Sequence, residues 1–321
     1  MTYKIKGVEV VDSSGNISPG NKTKFIVNEH LNFKSKPHSY GSESGYASGG
    51  ASPTHVDTID KFPFSTDANA TDVGDLSQAR RSSSGQSGDS FGYTSGGKNI
   101  TNVIDKFPFS SDGNATDVGD LTQGKYSSAG QSGPLSGYVS AGYYPVSNVI
   151  EKFPFATDAN ATDVGDLTQG RYGSAGQSST TFGYTSGGVT PGAVNTVDKF
   201  PFATDANATD VGDLSQTRSG AGGQSSTTNG YSSGGAAGSS TNVIDKFPFA
   251  TDANATDVGD LTQTRNITSG QSSTTSGYVS GGFNVPTWFD TIDKFPFATD
   301  ADATDVGNLT QARGAAGGQQ V

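Results

Sequence analysis

One six-residue phrase occurs six times along the chain at nearly equal spacing. It reads Ile-Asp-Lys-Phe-Pro-Phe and starts at positions 59, 104, 150, 197, 244 and 292, with Glu at 151 and Val at 197 as the only changes. The starts lie 45 to 48 residues apart. A period of this length with short strand-like segments is typical of a β-propeller. The repeat therefore predicts one periodic all-β domain.

Each repeat contains four strand-sized segments. In the fifth unit they are a small Gly-rich segment at 219–226, a Tyr-diglycine segment at 230–235, an alternating segment at 243–249 and a short segment at 257–262. Four strands form one propeller blade, and the blades repeat around a centre where the Gly-rich strands lie close together. The sequence therefore predicts a six-bladed β-propeller of four-stranded blades.

The end of the chain indicates how the ring closes. Residues 314–319 match the small innermost strand, but no Tyr-diglycine segment follows them. We therefore predict that this C-terminal strand completes the first blade beside residues 45–50. The ring would then have no free sheet edge.

The first 35 residues do not match the repeat. Residues 3–11 alternate apolar and polar side chains and predict a short strand, and residues 24–27 predict a second one. We interpret residues 1–35 as an N-terminal attachment segment and residues 36–321 as the propeller.

Composition excludes several functional classes. The chain has no cysteine, which excludes disulfides, thiolate metal sites and a Cys nucleophile. Its net charge of −11 disfavours nucleic acid as a partner, because neutralising phosphates needs clustered cations. No apolar run approaches the ~18 residues of a membrane-spanning helix, and the first residues lack the apolar core of a signal peptide. We expect no nucleic acid, no membrane insertion and no cleaved signal peptide.

The order of motifs within a unit resembles that of Kelch-repeat propellers. In the second unit a diglycine at 96–97 ends the second strand, Phe107 lies in an aromatic third strand, Val118 and Leu121 lie in a hydrophobic fourth strand, and Lys125 leads into the next unit. The resemblance covers residues 45–313 and implies a propeller. Two departures are Val at the usual Trp position of the fourth strand and Ala141 in place of a glycine.

A cation recurs where each fourth strand leads into the next unit. Such a side chain can tie neighbouring blades by bonding to carbonyls or carboxylates. The alternative is a ring of cations around the channel mouth that holds an anion. The six residues are Arg80, Lys125, Arg171, Arg218, Arg265 and Arg313.

The turn after each third strand offers oxygen atoms at alternating positions. In the first unit, Asp67, Asn69, Thr71 and Asp75 occupy positions 1, 3, 5 and 9, a spacing that resembles calcium loops, including those of integrin-type propeller repeats. Ca²⁺ is the one cofactor that this pattern suggests. Thr at position 5 departs from it, and Asx turns between strands explain the same residues. The equivalent candidate ligands are Asp112, Asn114, Asp120, Asp158, Asn160, Asp166, Asp205, Asn207, Asp213, Asp252, Asn254 and Asp260.

No catalytic arrangement can be assigned. The three histidines, His30, His38 and His55, do not recur in the units. The acidic residues repeat in every unit, so no carboxylate pair for glycoside hydrolysis can be singled out. We expect that the protein is not an enzyme.

The connections between the second and third strands differ in length and content between units. By strand alternation they share one face with the cation-bearing connections, and the acidic turns lie on the opposite face. Loops on a rigid scaffold carry binding specificity, and aromatic side chains there suit sugar stacking or a protein hot spot. The alternative is that they cover the blade below. The candidate binding residues are Tyr143, Tyr144, Phe283, Trp288 and Phe289.

The near-identical repeats and the first 17 residues resemble structural proteins of tailed phages of aquatic bacteria. This resemblance implies a tail-fibre-like or decorating protein on the virion surface, with residues 1–35 contacting other virion proteins. The variable loops would then contact host glycan or protein or a neighbouring subunit, with avidity from many copies. Self-association into a homo-oligomer is compatible with this arrangement. The alternatives are a calcium-binding interaction scaffold of a cell and a polysaccharide-acting enzyme.

Overall fold

The computed structural model describes residues 40–321 and two N-terminal strands, Tyr3–Ile5 and Val8–Val11. The chain divides into two compact units, Met1–Ser35 and Lys36–Val321. In the first unit the two strands pair antiparallel, with Ile5 opposite Val8. The single strand predicted for residues 3–11 is therefore wrong, because the chain reverses between them. The strand predicted for residues 24–27 lies outside the described residues.

Residues 40–321 form a six-bladed β-propeller in which each blade is a four-stranded antiparallel sheet. We number the blades 1 to 6 and name their strands inner, second, third and outer. Blades 1 to 3, in that strand order, are Gly317–Gln320, Ser44–Ser48, Thr58–Pro63 and Thr71–Asp75; Ser84–Ser87, Phe91–Ser95, Val103–Pro108 and Thr116–Asp120; and Ala129–Ser132, Ser136–Ser140, Val149–Pro154 and Thr162–Asp166. Blades 4 to 6 are Ala175–Ser178, Phe182–Ser186, Thr196–Pro201 and Thr209–Asp213; Gly222–Ser225, Asn229–Ser233, Val243–Pro248 and Thr256–Asp260; and Ser269–Ser272, Ser276–Asn284, Thr287–Pro296 and Thr304–Asn308.

The predicted ring closure is confirmed. The C-terminal strand Gly317–Gln320 pairs antiparallel with Ser44–Ser48, and Gly317 lies opposite Ser48. Blade 1 therefore combines the last strand of the chain with three strands from the start of the repeats. No blade of the described propeller lacks its inner strand.

The hydrophobic core lies between neighbouring blades. Tyr46 of blade 1 packs against Phe107 and Phe109 of blade 2, with ring centroids 5.5 and 5.0 Å apart. The same contact closes the ring, because Phe62 of blade 1 lies 5.6 Å from Tyr278 of blade 6. The repeated phrase thus supplies aromatic side chains that fill the space between blades. Its proline ends each third strand, where a missing donor costs no ladder bond.

The inner strands approach too closely for any side chain at one position. A Cβ atom on Gly85 would lie 2.2 Å from the carbonyl oxygen of Gly318 in the neighbouring blade. The equivalent glycines meet the preceding blade at 2.1 to 2.2 Å around the whole ring. Glycine is therefore required there by packing.

A closed ring of side-chain hydrogen bonds also connects the blades. Gln86 is buried, and its Nε2 donates to the carbonyl of Tyr138 in the next blade at 3.2 Å. Gln319 closes the cycle by donating to the carbonyl of Tyr93 at 2.8 Å. The other members are Gln131, Gln177, Gln224 and Gln271.

The two faces of the ring contain the connections that strand alternation predicts for each. Connections from second to third strands lie beside connections from outer to inner strands, as shown by the bridges between Ala51 and Gly314 and between Tyr126 and Tyr143. We call this side the loop face. The turns after the third strands lie on the opposite side, which we call the acidic face.

Three loop-face connections form small hairpins, namely Ala51–Ser52 with Thr54–His55, Val189–Thr190 with Gly192–Ala193, and Ala236–Ala237 with Ser239–Ser240. In blade 6 the second and third strands themselves extend into one long hairpin. Across residues 40–321 there is no helix long and apolar enough to cross a membrane.

Candidate functional site

The turns between third and outer strands on the acidic face are nearly the same in every blade, and they contact the preceding blade. Asp67 accepts a hydrogen bond from Lys294 Nζ of blade 6 at 2.9 Å, and Asn69 Oδ1 accepts one from the backbone N–H of Asn308 at 3.0 Å. The other five lysine–aspartate pairs are Lys61–Asp112, Lys106–Asp158, Lys152–Asp205, Lys199–Asp252 and Lys246–Asp300. The aspartate and asparagine of these turns therefore connect blades.

The four candidate calcium ligands of a turn contact two different neighbours. Asp67 and Asn69 contact blade 6, whereas the N–H of Asp75 donates to Asn114 Oδ1 of blade 2 at 3.1 Å. Thr71 lies between them in the outer strand. Within residues 40–321 no group of three or more His, Asp or Glu side chains could hold a metal ion. Calcium binding at these turns stays a prediction.

The remaining turn atoms explain why the same residues recur. Asp72 Oδ1 accepts a hydrogen bond from the N–H of Gly74 two residues later, at 3.1 Å. The same bond forms in the other blades between the equivalent aspartate and glycine. This is the Asx geometry by which aspartate stabilises a bend in the chain. The outer strands bulge at this point, since the ladder register shifts between Ile59 and Asp60.

The six repeated cations are buried and hold adjacent blades together. Arg80 is 1% exposed, and its guanidinium lies 3.0 Å from Asp105 of blade 2 and donates to the Thr94 carbonyl at 2.7 Å. Burial lowers the pKa of Arg80, and the charge of Asp105 raises it. The alternative of a cation ring that binds an anion at the channel mouth is therefore wrong. The other pairs are Lys125–Glu151, Arg171–Asp198, Arg218–Asp245, Arg265–Asp293 and Arg313–Asp60.

The central channel is small and polar. A cavity of about 120 Å³ lies among the inner strands of all six blades. Ser, Thr, Gly, Ala and Gln line it, and none of these side chains titrates in the accessible pH range. The hydroxyls face the neighbouring backbone, as where Ser132 Oγ accepts from the N–H of Ser87 at 2.9 Å. The channel therefore belongs to the scaffold.

The loop face carries a continuous row of aromatic side chains over blades 2 to 4. Tyr143 lies between Tyr126 and Tyr172, with ring centroids 5.3 and 4.7 Å away. Lys98 Nζ lies 4.8 Å from the ring centroid of Tyr126 on the far side. We call Tyr126, Tyr143 and Tyr172 the aromatic row. Tyr144 follows directly in the chain and is 58% exposed.

The predicted aromatic residues of blade 6 form a separate pair. Phe283 and Trp288 oppose each other across the long hairpin, with ring centroids 4.6 Å apart. Phe289, half-buried, pairs with Gly282 in the same hairpin. Blades 3 and 6 are opposite each other in a six-membered ring, so the structure does not bring Tyr143 together with Trp288. Tyr144 is exposed, whereas the other four candidates are half-buried in ring or hairpin contacts.

Exposed apolar side chains concentrate on the loop face. Among the described residues five large hydrophobic side chains are exposed, and four of them lie in second-to-third connections, namely Ile100, Tyr144, Val146 and Val285. The fifth, Leu135, lies on the acidic face between the inner and second strands of blade 3. The apolar exposure thus follows the part of the repeat that varies.

Comparing the loops alone misses two residues of the aromatic row. Tyr126 and Tyr172 each follow directly after a repeated buried cation. In chain order, the residues that follow the six cations are Arg81, Tyr126, Tyr172, Ser219, Asn266 and Gly314. The position that follows the repeated cation therefore varies between units, as the second-to-third connections do.

The fold and this geometry define the class of protein. It is a six-bladed β-propeller with a constant scaffold, a repeated acidic face and one variable face. Comparison with known proteins finds no family model that matches the chain and no significant match among curated proteins.

Proposed function

We propose that this protein is a non-enzymatic adhesion protein that binds its partner through the loop face. The observation that carries the proposal is the location of the exposed apolar side chains Ile100, Tyr144, Val146 and Val285 in connections that differ between blades. Exposed apolar patches on a protein surface commonly mark binding sites, and loops on a rigid scaffold supply specificity. On the acidic face the turns between third and outer strands repeat one arrangement, and Leu135 is the one exposed large apolar side chain there among the described residues.

The setting we propose is the surface of a virion. The resemblance of the repeats and of residues 1–17 to tailed-phage structural proteins supports this setting. Residues 1–35 would contact other virion proteins, and the loop face would contact host glycan or protein. Many copies on one particle would turn a weak single contact into strong adhesion.

Cell binding with matched surface variants tests the proposal. The labelled full-length chain, displayed in many copies on beads, is applied to whole cells of a panel of aquatic bacterial isolates. Tyr144→Ser combined with Val146→Ser removes exposed apolar groups from the loop face, and Leu135→Ser removes one from the acidic face. We expect the loop-face variant to lose adhesion and Leu135→Ser to retain it. Loss of adhesion in Leu135→Ser alone contradicts the proposal. Failure of the wild-type chain to adhere to any isolate also contradicts it.

A second measurement tests the virion setting separately. Antibody against the full chain should label particles released from the producing culture, at regular positions visible by electron microscopy. Label found only on cell debris would contradict the virion setting and leave loop-face adhesion to be judged by the cell-binding result.

A further inference from the structure

The loop face contains the two cations of residues 40–321 that make no ion pair. This range has fourteen Lys and Arg side chains, and twelve of them form the ion pairs of the interior and of the acidic face. The remaining two are Arg81 and Lys98. The same range contains twenty-eight Asp and Glu side chains, so two cations left without a carboxylate are unexpected.

These two residues are neighbours in the fold, although they come from different connections. The backbone N–H of Lys98 donates to the carbonyl of Arg81 at 2.8 Å. Burial, and then the charges of Arg81 and Lys98, lower the pKa of His55 in the small hairpin of blade 1. Burial, and then the charge of Asp57 from the same connection as His55, raises the pKa of Asp75 in the outer strand. We call His55, Arg81 and Lys98 the basic cluster.

The basic cluster continues into the aromatic row. Lys98 Nζ lies over the ring of Tyr126 at 4.8 Å, and Tyr143 and Tyr172 follow at 5.3 and 4.7 Å. Cations therefore stand at one end of the row, and three rings with phenolic hydroxyls extend from it. All six residues are half-buried, which keeps them accessible while their positions are held by neighbours.

This arrangement combines two kinds of recognition. An arginine fork and a lysine ammonium bind carboxylate or sulfate groups by charge-assisted hydrogen bonds. Aromatic rings offer apolar faces, and the tyrosine hydroxyls add polar contacts at the rim. A polymer that alternates rings with anionic groups matches both parts at once.

We propose that the basic cluster and the aromatic row form one binding site for an acidic polysaccharide. Arg81 and Lys98 bind its carboxylate or sulfate groups, and Tyr126, Tyr143 and Tyr172 contact its sugar rings. An acidic peptide would satisfy the cations but would leave the row without sugar rings to contact. Nucleic acid needs more cations than two to neutralise its phosphates. The inference rests on the proposed adhesion function and names its ligand class.

Binding of the full-length chain to four immobilised polymers tests this site. Alginate presents carboxylates, dextran sulfate presents sulfates, dextran is neutral, and poly-L-glutamate is an anionic polymer without sugar rings. We expect binding to at least one anionic polysaccharide that weakens as salt is added, and none to dextran or poly-L-glutamate. Arg81→Gln combined with Lys98→Gln should weaken that binding about tenfold or more. Tyr126→Leu should weaken it without changing its salt dependence.

The matched control removes the same charge from the acidic face. Lys152→Gln combined with Lys246→Gln should bind the anionic polysaccharide as the wild type does, and thermal melting checks that each variant is folded. No wild-type binding to either anionic polysaccharide, equal binding to poly-L-glutamate, or unchanged binding by the Arg81/Lys98 variant each overturns the inference. If one of these results is obtained while the wild type still adheres to cells and Tyr144→Ser combined with Val146→Ser abolishes that adhesion, only the acidic-polysaccharide site is wrong. If every loop-face variant adheres to cells as the wild type does, the proposed adhesion function is wrong as well.

Discussion

Lys125 Nζ lies 2.8 Å from Glu151 Oε2, at the place where the other five blades pair an arginine with an aspartate. The cation is shorter than arginine here, and the acid is longer than aspartate by one methylene. The two changes compensate, so the charged groups still meet between blades. Both side chains are fully buried.

This compensation predicts strong coupling between the two positions. Lys125→Arg alone should crowd the pocket, and Glu151→Asp alone should separate the buried charges, each at a cost of about 2 kcal/mol in the free energy of unfolding. The double variant recreates the pair of the other blades and should come within about 0.5 kcal/mol of the wild type. Urea denaturation of the four proteins gives the coupling energy. Additive effects of the two substitutions would contradict the compensation.

One junction between blades allows a buried and an exposed ion pair to be compared directly. Arg313 pairs with Asp60 and Lys294 pairs with Asp67, and both pairs join blade 6 to blade 1. We expect Arg313→Met to cost about 3 kcal/mol or more, because Asp60 would remain buried without its partner. Lys294→Met should cost less than about 1 kcal/mol, because Asp67 is 58% exposed at its side chain. Equal losses of stability in denaturant titrations would argue against this assignment.

The close approach of the inner strands predicts a large effect from a single methyl group. In Gly318→Ala the new Cβ would lie 2.1 Å from the carbonyl oxygen of Gly270, so the last strand could not pair as it does now. We expect a loss of about 3 kcal/mol or more in the free energy of unfolding. The control is Gly113→Ala on the acidic face, where a Cβ would meet no atom within 4 Å. That variant should change stability by less than about 0.5 kcal/mol, and a similar loss in both would show that the inner ring is not tightly packed.

The repeated tyrosines predict a loss of stability at alkaline pH. Burial, the largest cause, raises the pKa of Tyr93, Tyr138 and Tyr184 to about 12, and burial also raises the pKa of Tyr46. Between pH 10 and 12 the unfolded chain loses these protons and the folded chain keeps them, so stability falls as pH rises. Each tyrosine contributes about 1.4 kcal/mol per pH unit in that window, and the contribution is fully present below pH 10.

Denaturant unfolding at pH 9, 10 and 11, with phenolate absorbance followed in parallel, measures this effect. The control variant Tyr93→Phe lacks one titrating group and should lose less stability between pH 10 and 11 than the wild type does. Constant stability across this range in the wild type would mean that the tyrosines are not held neutral by the fold.

The architecture follows from the sequence because its determinants recur with the period of the fold. The Phe-Pro-Phe phrase, the Tyr strand and the terminal Gly-rich strand each predict one feature of a blade or of the closure. The glutamine ring could not be predicted in the same way. Gln86 stands in a short segment of small polar residues, and only the register of two sheets shows that its amide reaches the carbonyl of Tyr138.

The candidate site was less predictable because it depends on contacts between different repeats. Tyr143 was a candidate as a loop aromatic, but its neighbours Tyr126 and Tyr172 come from connections before and after its blade. The backbone hydrogen bond between Lys98 and Arg81 likewise joins two different connections, at positions seventeen apart. Asp67 shows the opposite case, since its spacing suggested a calcium ligand and its carboxylate contacts Lys294.

The central claim is that the loop face, and not the acidic face, contacts the partner. Amide hydrogen exchange of the full-length chain, with and without the cell envelope to which it adheres, tests this claim most directly. We predict slower exchange in residues 98–103, 143–149 and 283–291 when the envelope is bound, with no change in the turn at 111–115. Protection of that turn and its equivalents, with unchanged exchange in the loop-face connections, would contradict the account.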